Sequence, residues 1–176
     1  MAAPAPLFEY KHLDLTPIAD RAEIATKNPH RDLFALIDHI IHLNSPPTRC
    51  IGQLTVKPDD FWTKGHIPGK PIMPGVLLVE AGAQVASYLY YSKTDTDNFA
   101  GFTRIQDCAF RGMVTPGQTL TILVQEVKYS PRRFISDLQG IVEDQIVFGA
   151  RISGMAFPNL GPIERKPLQL PRTQPQ

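Results

Sequence analysis

The stretch GHIPGKPIMPGVLLVEAGAQ, from Gly65 to Gln84, decides the fold. Its first half is a loop with three prolines and three glycines in eleven residues, so the backbone is restricted at some positions and free at others. Pro74 and Gly75 then open a helix, because proline is well tolerated in a first helical turn. The helix is apolar on nearly all sides, which is typical of a buried helix. We therefore expect a central helix enclosed by a curved sheet.

Glu80 is the one acid in this apolar helix. A buried, unpaired carboxylate is unfavourable, and such a group usually takes up a proton because its pKa rises. Gln84 lies one turn later on the same face and is predicted to hydrogen bond the carboxyl group. A neutral acid in an apolar setting is a candidate proton donor. The alternative is that the helix has one narrow solvent-exposed edge and that Glu80 faces it.

His66 lies in the rigid loop that precedes the helix, and a rigid loop is what a fixed imidazole requires. The backbone N–H groups of Gly75 and Val76 are free at the helix start, where the helix dipole favours negative charge. An imidazole, a carboxyl group and two N–H donors therefore converge on this stretch. The alternative for His66 is a loop histidine without a special role, and we assign only that interpretation to the other four, His12, His30, His39 and His42.

The composition narrows the remaining possibilities. The chain has 176 residues, 43% of them hydrophobic, as expected for one globular domain. Its 18 basic and 17 acidic residues leave a formal charge of +1, which does not favour a nucleic-acid partner. Cys50 and Cys108 are predicted to be free, buried thiols. No motif indicates a metal, a cofactor, a secretory leader or a membrane span, so we expect a cytoplasmic protein.

The chain divides into three predicted parts: an N-terminal extension with a loose end (residues 1–28), a body (residues 29–158) and a Pro-rich flexible tail (residues 159–176). Within the extension, Thr16 before Pro17 predicts a short capped helix. Around the central helix, apolar alternation and turn signals predict strands over residues 34–44, 48–56, 99–114, 118–130, 132–143 and 145–157. One long helix with antiparallel strands is an α+β pattern.

The central stretch resembles the β-hydroxyacyl-acyl carrier protein dehydratases, whose pattern is G-H-F-P-G-x-P-x-x-P-G-V-x-x-x-E-A-x-A-Q. The matching residues are Gly65, His66, Pro68, Gly69, Pro71, Pro74, Gly75, Val76, Glu80, Ala81, Ala83 and Gln84. Ile67 replaces the usual phenylalanine.

The resemblance extends from about Asn28 to Phe157. NPHRDLFALIDHI is similar to the family's L-P-H-R-x-P-F-L-L-V-D-R-V, with Asp32 and Leu33 in place of a Tyr-Pro pair. FTRIQDCAFRGMVTPGQTL is similar to F-x-x-I-D-x-A-x-F-R-x-P-V-x-P-G-D-x-L, with Met113 in place of proline. Family members often carry an aromatic gate where this chain has Gly101, which predicts a tunnel that is more open or gated differently.

The resemblance implies a hot-dog fold, in which a curved antiparallel sheet wraps a long helix. It also implies a homodimer in which His66 of one chain meets Glu80 of the other. The family's trimer of dimers suggests a further level of assembly, which the sequence does not fix. The reaction it implies is dehydration of (3R)-3-hydroxyacyl thioesters on acyl carrier protein to trans-2-enoyl thioesters in fatty-acid synthesis. In it His66 would be the base, Glu80 the acid, Gly75 and Val76 the oxyanion donors and Gln84 a support.

Two alternatives share the fold. One is a thioesterase, which needs a carboxylate acting on water and not a His–Glu pair; the other is a module that binds acyl chains without catalysis. The basic turn at Arg132 and Arg133 is a candidate contact for an acidic carrier protein, although a solvated turn fits the sequence equally well.

Overall fold

The computed structural model describes residues 5–94, 96 and 98–162. The chain forms two α-helices, α1 (Arg21–Lys27) and α2 (Gly75–Tyr91), and a short 3₁₀ helix (Asp32–Phe34). Its six strands are β1 (His39–Leu43), β2 (Arg49–Thr55), β3 (Asn98–Phe110), β4 (Thr119–Ser130), β5 (Arg133–Val142) and β6 (Gln145–Pro162). The predicted tail, apart from its first four residues, lies outside the described residues.

All six strands join one antiparallel sheet in the order β1-β2-β4-β5-β6-β3. The sheet curves around α2, which contacts β2, β4, β5 and β6. This is the predicted α+β architecture, a long apolar helix in a sheet. No helix within the described residues is long and apolar enough to cross a membrane.

Small residues bring α2 and the sheet close together. Ala81 and Val85 on the helix are fully buried. A Cβ atom added to Gly52 on β2 would lie 2.5 Å from Val85 Cγ2, so only glycine allows this approach. The helix therefore packs directly on the strand backbone and shares the main core with residues such as Ile122 and Phe148.

The other face of the sheet is covered by an N-terminal arm, residues 5–15. Phe8 and Tyr10 pack there against Ile41, Ile51 and Leu123. This burial follows from strand alternation, since residue 51 points away from the helix while residues 50 and 52 point towards it. The expectation of a loose end was therefore wrong for residues 5–15.

The Gln139 side chain of β5 binds the arm to the sheet by two hydrogen bonds. Its Oε1 accepts a hydrogen bond from Leu7 N at 3.0 Å, and its Nε2 donates to the Ala5 carbonyl at 3.2 Å. The guanidinium carbon of Arg49 lies 5.1 Å from the centre of the Phe8 ring. The arm is therefore held by polar groups at its start and by aromatic packing further along.

Three local predictions were wrong, each for a physical reason. The first helix begins at Arg21 with Asp20 as its cap, because Ala19 is held extended by a bridge to Ile40 of β1. The first strand is shorter than predicted because the segment before it folds towards α2. Cys108 is exposed on β3, whereas Cys50 is buried.

We predict that Phe8→Ala lowers the free energy of unfolding by about 3 kcal/mol, the usual effect of removing a buried phenylalanine side chain. Phe8 is only 7% exposed. Chemical denaturation followed by circular dichroism measures the change. The control is Glu9→Ala, which alters the adjacent, exposed side chain. Equal stabilities of the two variants would show that the arm does not contribute to the fold.

Candidate active site

His66 is exposed at the surface of a loop that its own hydrogen bonds close. Its N–H donates to the Trp62 carbonyl at 2.8 Å, and its carbonyl accepts from Ile72 N at 3.1 Å. The ring atom Nδ1 lies 2.7 Å from the Ile72 carbonyl oxygen. Because a carbonyl oxygen only accepts, Nδ1 carries the proton, and Nε2 of the neutral ring keeps a free lone pair. The loop thus holds an imidazole in the tautomer of a proton acceptor.

Glu80 is held through one of its two carboxylate oxygens. Gln84 Nε2 donates to Oε1 at 2.8 Å, which is the predicted contact, and His30 Nε2 lies 3.3 Å from the same oxygen. Oε2 has no hydrogen-bond partner among the described residues. It is also not fully buried. One oxygen is therefore anchored while the other stays accessible.

The pKa of Glu80 lies below its ordinary value, which corrects the prediction of a neutral carboxyl group. Burial alone would raise the pKa. The hydrogen bonds from His30 and Gln84, together with the charge that His30 can carry, outweigh that effect. The carboxyl group is therefore ionised at neutral pH in the single chain.

His30 is the residue of this site that sequence reasoning missed. His30 precedes Arg31. The Arg31 guanidinium stabilises this turn by donating hydrogen bonds to the carbonyls of Ala25, Asn28 and His30 at 2.8–2.9 Å. The signal was present, because His30 is the histidine of the NPHRD segment that matches the family pattern. Treating it as an ordinary surface histidine left its contact with Glu80 unpredicted.

The backbone around Gln84 explains why His30 meets Glu80. Gln84 Nε2 also donates to the Phe34 carbonyl at 2.8 Å, its Oε1 accepts from Leu36 N at 3.0 Å, and its own carbonyl accepts from Asn28 Nδ2 at 2.8 Å. Gln84, which is only 2% exposed, therefore fixes the segment from Asn28 to Leu36 through its side-chain amide and its own carbonyl. This segment carries His30.

A cavity of about 190 Å³ adjoins the carboxylate. Glu80 and His30 form its polar end, and Phe99, Phe102 and Phe134 are among its apolar residues. At Gly101, an added Cβ would lie 2.8 Å from the Phe99 ring. The Phe99 ring thus lies beside Gly101, which stands in place of the family's aromatic gate. The cavity therefore keeps an aromatic side chain in its wall.

The start of α2 presents the predicted N–H donors. Neither Gly75 nor Val76 donates its N–H to another described residue, whereas Leu77 N bonds the Pro74 carbonyl. Val76 is 75% exposed. A Cβ at Gly75 would lie 2.9 Å from the ring of Phe110, which packs over this turn. Two backbone donors are therefore available to an acceptor at this end of the helix.

One chain does not bring all these groups together. Among the described residues, no hydrogen bond or ion pair joins His66 to Glu80, and His66 does not line the cavity. A single chain therefore offers two separate halves of an acid–base site.

Arg132 and Arg133 are exposed at the turn between β4 and β5, directly before the cavity residue Phe134.

Comparisons with known proteins identify the family of this chain. Residues 28–151 match the model of the FabA-like domain. The 3-hydroxyacyl-[acyl-carrier-protein] dehydratase FabZ of Geotalea uraniireducens is 39% identical over 111 residues, which cover 61% of this chain and 76% of the relative. FabZ of Dinoroseobacter shibae is 34% identical over 146 residues, covering 80% of this chain and 89% of the relative.

Solved structures share the fold at low sequence identity. A chain of the dehydratase heterocomplex ApeI:P from Xenorhabdus doucetiae superimposes with a TM-score of 0.66 at 14% identity, covering 76% of this chain and 90% of that one. The PaaI protein of E. coli gives a TM-score of 0.53 at 16% identity, covering 66% and 80%. At these identities the likeness concerns the hot-dog fold alone.

Proposed function

The chain belongs to the FabA-like family of 3-hydroxyacyl-[acyl-carrier-protein] dehydratases, and from this we propose that it converts (3R)-3-hydroxyacyl thioesters to trans-2-enoyl thioesters in fatty-acid synthesis. The observation that carries the proposal is the pair of half-sites: an imidazole with a free Nε2 and a carboxylate with a free Oε2, each fixed by hydrogen bonds. Dehydration needs both, because one proton leaves C2 and another must reach the C3 oxygen.

We further propose that two chains complete each site. Among the described residues, β3 lies at the end of the sheet and pairs only with β6, so its other edge is open there. Phe102, Ile105 and Phe110 on this strand are 40–51% exposed. An apolar open edge of 13 residues favours pairing with a second copy of the same strand. Such a dimer would bring His66 of the partner chain to the cavity beside Glu80.

Each of these groups has a separate role in the proposed reaction. Nε2 of His66 takes the C2 proton, and negative charge develops on the thioester oxygen. The N–H groups of Gly75 and Val76 stabilise that charge, because they lie at a helix start and donate to no acceptor in the described part of the chain. The C3–O bond then breaks, and a proton delivered through the Glu80 carboxyl group converts the leaving hydroxyl group to water.

We predict that the purified protein hydrates crotonyl thioesters and dehydrates 3-hydroxybutyryl thioesters without releasing free thiol. His66→Ala should lower the dehydration rate on the order of 10²-fold or more while the fold persists, because His66 is on a surface loop. Enoyl absorbance and a thiol reagent measure the two reactions. The matched control is His12→Ala, at another exposed histidine. Thiol release would favour a thioesterase, and inactivity towards both would favour an acyl-binding module.

A mixture of two inactive variants tests the shared site. Glu80→Gln chains and His66→Ala chains, allowed to exchange subunits, form mixed dimers in about half of the cases, and each mixed dimer has one intact site. About a quarter of all sites should therefore regain activity. Differently tagged chains verify the exchange. Exchange without recovered activity would rule out a site built from two chains.

Arg132 and Arg133 are proposed to receive an acidic carrier protein near the cavity. Arg132→Glu combined with Arg133→Glu should raise KM for carrier-bound substrate by about tenfold, most strongly at low salt, because like charges repel. KM for a short thioester without a carrier should stay unchanged. Steady-state kinetics at two ionic strengths measures both values. Lys57→Glu, at an exposed lysine after β2, is the control. An equal rise in KM for both substrates would contradict the carrier contact.

A further inference from the structure

The lowered pKa of Glu80 raises a question about the proposed reaction, because an ionised carboxylate has no proton to give to a leaving hydroxyl group. His30 is the one titratable side chain that contacts Glu80 within the described residues. Its Nε2 and the Glu80 Oε1 are 3.3 Å apart, and both residues line the same cavity. The side chains are about one quarter exposed, 27% for His30 and 23% for Glu80. The contact is therefore sheltered yet reachable from the cavity.

We propose that His30 and Glu80 hold one proton between them, and that His30 is the positioning residue through which Glu80 can deliver that proton to the C3 hydroxyl group. This inference rests on the proposed dehydratase function. It adds a second imidazole to the site, with a role distinct from that of His66.

The second ring nitrogen of His30 fits this role. Nδ1 is buried and has no partner in the described part of the chain, and the same holds for Oδ1 of Asn28. Both residues line a small space of about 10 Å³ between α1 and α2. A space of this size admits about one water molecule, which can accept from Nδ1–H and donate to the amide oxygen. Asn28 thus offers an acceptor that a doubly protonated ring needs.

Few charged side chains surround His30 in the described part of the chain, and each has an identified contact. Glu80 faces it from α2. Arg21 of α1 lines the same small space and pairs with Asp38, whose Oδ1 lies 2.8 Å from Arg21 Nη2. Arg31, the next residue, donates to backbone carbonyls of this turn. In the proposed dimer, the partner's His66 faces the pair across the substrate.

The proton balance closes over one turnover. The C2 proton moves to Nε2 of His66 of the partner chain. The shared proton passes from His30 Nε2 to the Glu80 carboxylate, and as the C3–O bond breaks the resulting carboxyl group gives that same proton to the leaving oxygen. The product is an enoyl thioester and water. His66 then loses its proton to solvent and the His30–Glu80 pair regains one, so no other reactant is needed.

The variant that tests this role is His30→Gln, because glutamine keeps an N–H donor towards Glu80 and removes the group that titrates. At pH 7 to 8 its kcat should fall by about tenfold or more, since Glu80 alone then holds a proton only at acidic pH. The loss should shrink as the pH is lowered towards 5, which moves the optimum down by about one pH unit. KM should change by less than about threefold.

His39→Gln is the matched control, because His39 also has a buried, unpartnered Nδ1 but does not line the cavity. It should keep the wild-type pH profile. A purely structural role for His30 predicts instead a loss by the same factor at every pH, and that result, or an unchanged profile, would overturn the proposal. If the wild-type protein does not dehydrate at all, the proposed function fails first, and the two failures remain distinct.

A measurement on the unmodified protein decides the case even if His30→Gln does not fold. Carbon-13 NMR can follow the Glu80 carboxyl carbon and the His30 ring carbons through a pH titration. A shared proton requires both residues to respond in the same titration steps. Independent titration of the two residues would overturn the proposal.

Discussion

The direct packing of α2 on the strands of the sheet is the contact on which the rest of the structure depends. Gly52 leaves no room between β2 and Val85, and Ala81 is fully enclosed, so the helix cannot rotate or shift without a clash. A carboxylate on such a helix has a fixed position. The helix therefore fixes the position of Glu80, and the loop before it fixes the position of His66.

That packing also makes Gln84 more than a neighbour of Glu80. Both polar atoms of its side chain are used, in two hydrogen bonds to the backbone of the segment that carries His30 and one to the carboxylate itself. A buried amide that lost these partners would be strongly unfavourable, so the segment and the helix must form together. The same hydrogen bonds that satisfy a core residue thus assemble the polar end of the cavity.

Much of the fold could be predicted because its signals are local. The strands after residue 98 follow alternation and turn residues, and their observed bounds agree with the prediction within a few residues. The failures come from long-range contacts. Gln84 draws Phe34 and Leu36 away from the sheet, and Ile40 holds Ala19 extended, which delays α1. No local pattern encodes either contact.

The site divides in the same way. The motif predicted His66, Glu80 and Gln84 as site residues, and the predicted contact between Gln84 and Glu80, which follows from helical spacing, is confirmed. The charge state of Glu80 could not be predicted, because it depends on His30, which is 50 residues away in sequence. The family pattern contained that histidine, but only the folded chain shows which group it touches.

The two ends of the sheet differ in how readily each can accept a further strand. At one end, β1 has only five residues, and Ile40 there already bonds with Ile18 and Ala19 of its own chain. At the other end, no described strand pairs with the outer edge of β3. A sheet with two open ends can grow without limit into a fibre, whereas a sheet with one blocked end stops after a single two-fold pairing. The short segment before α1 therefore acts as a terminator of strand addition.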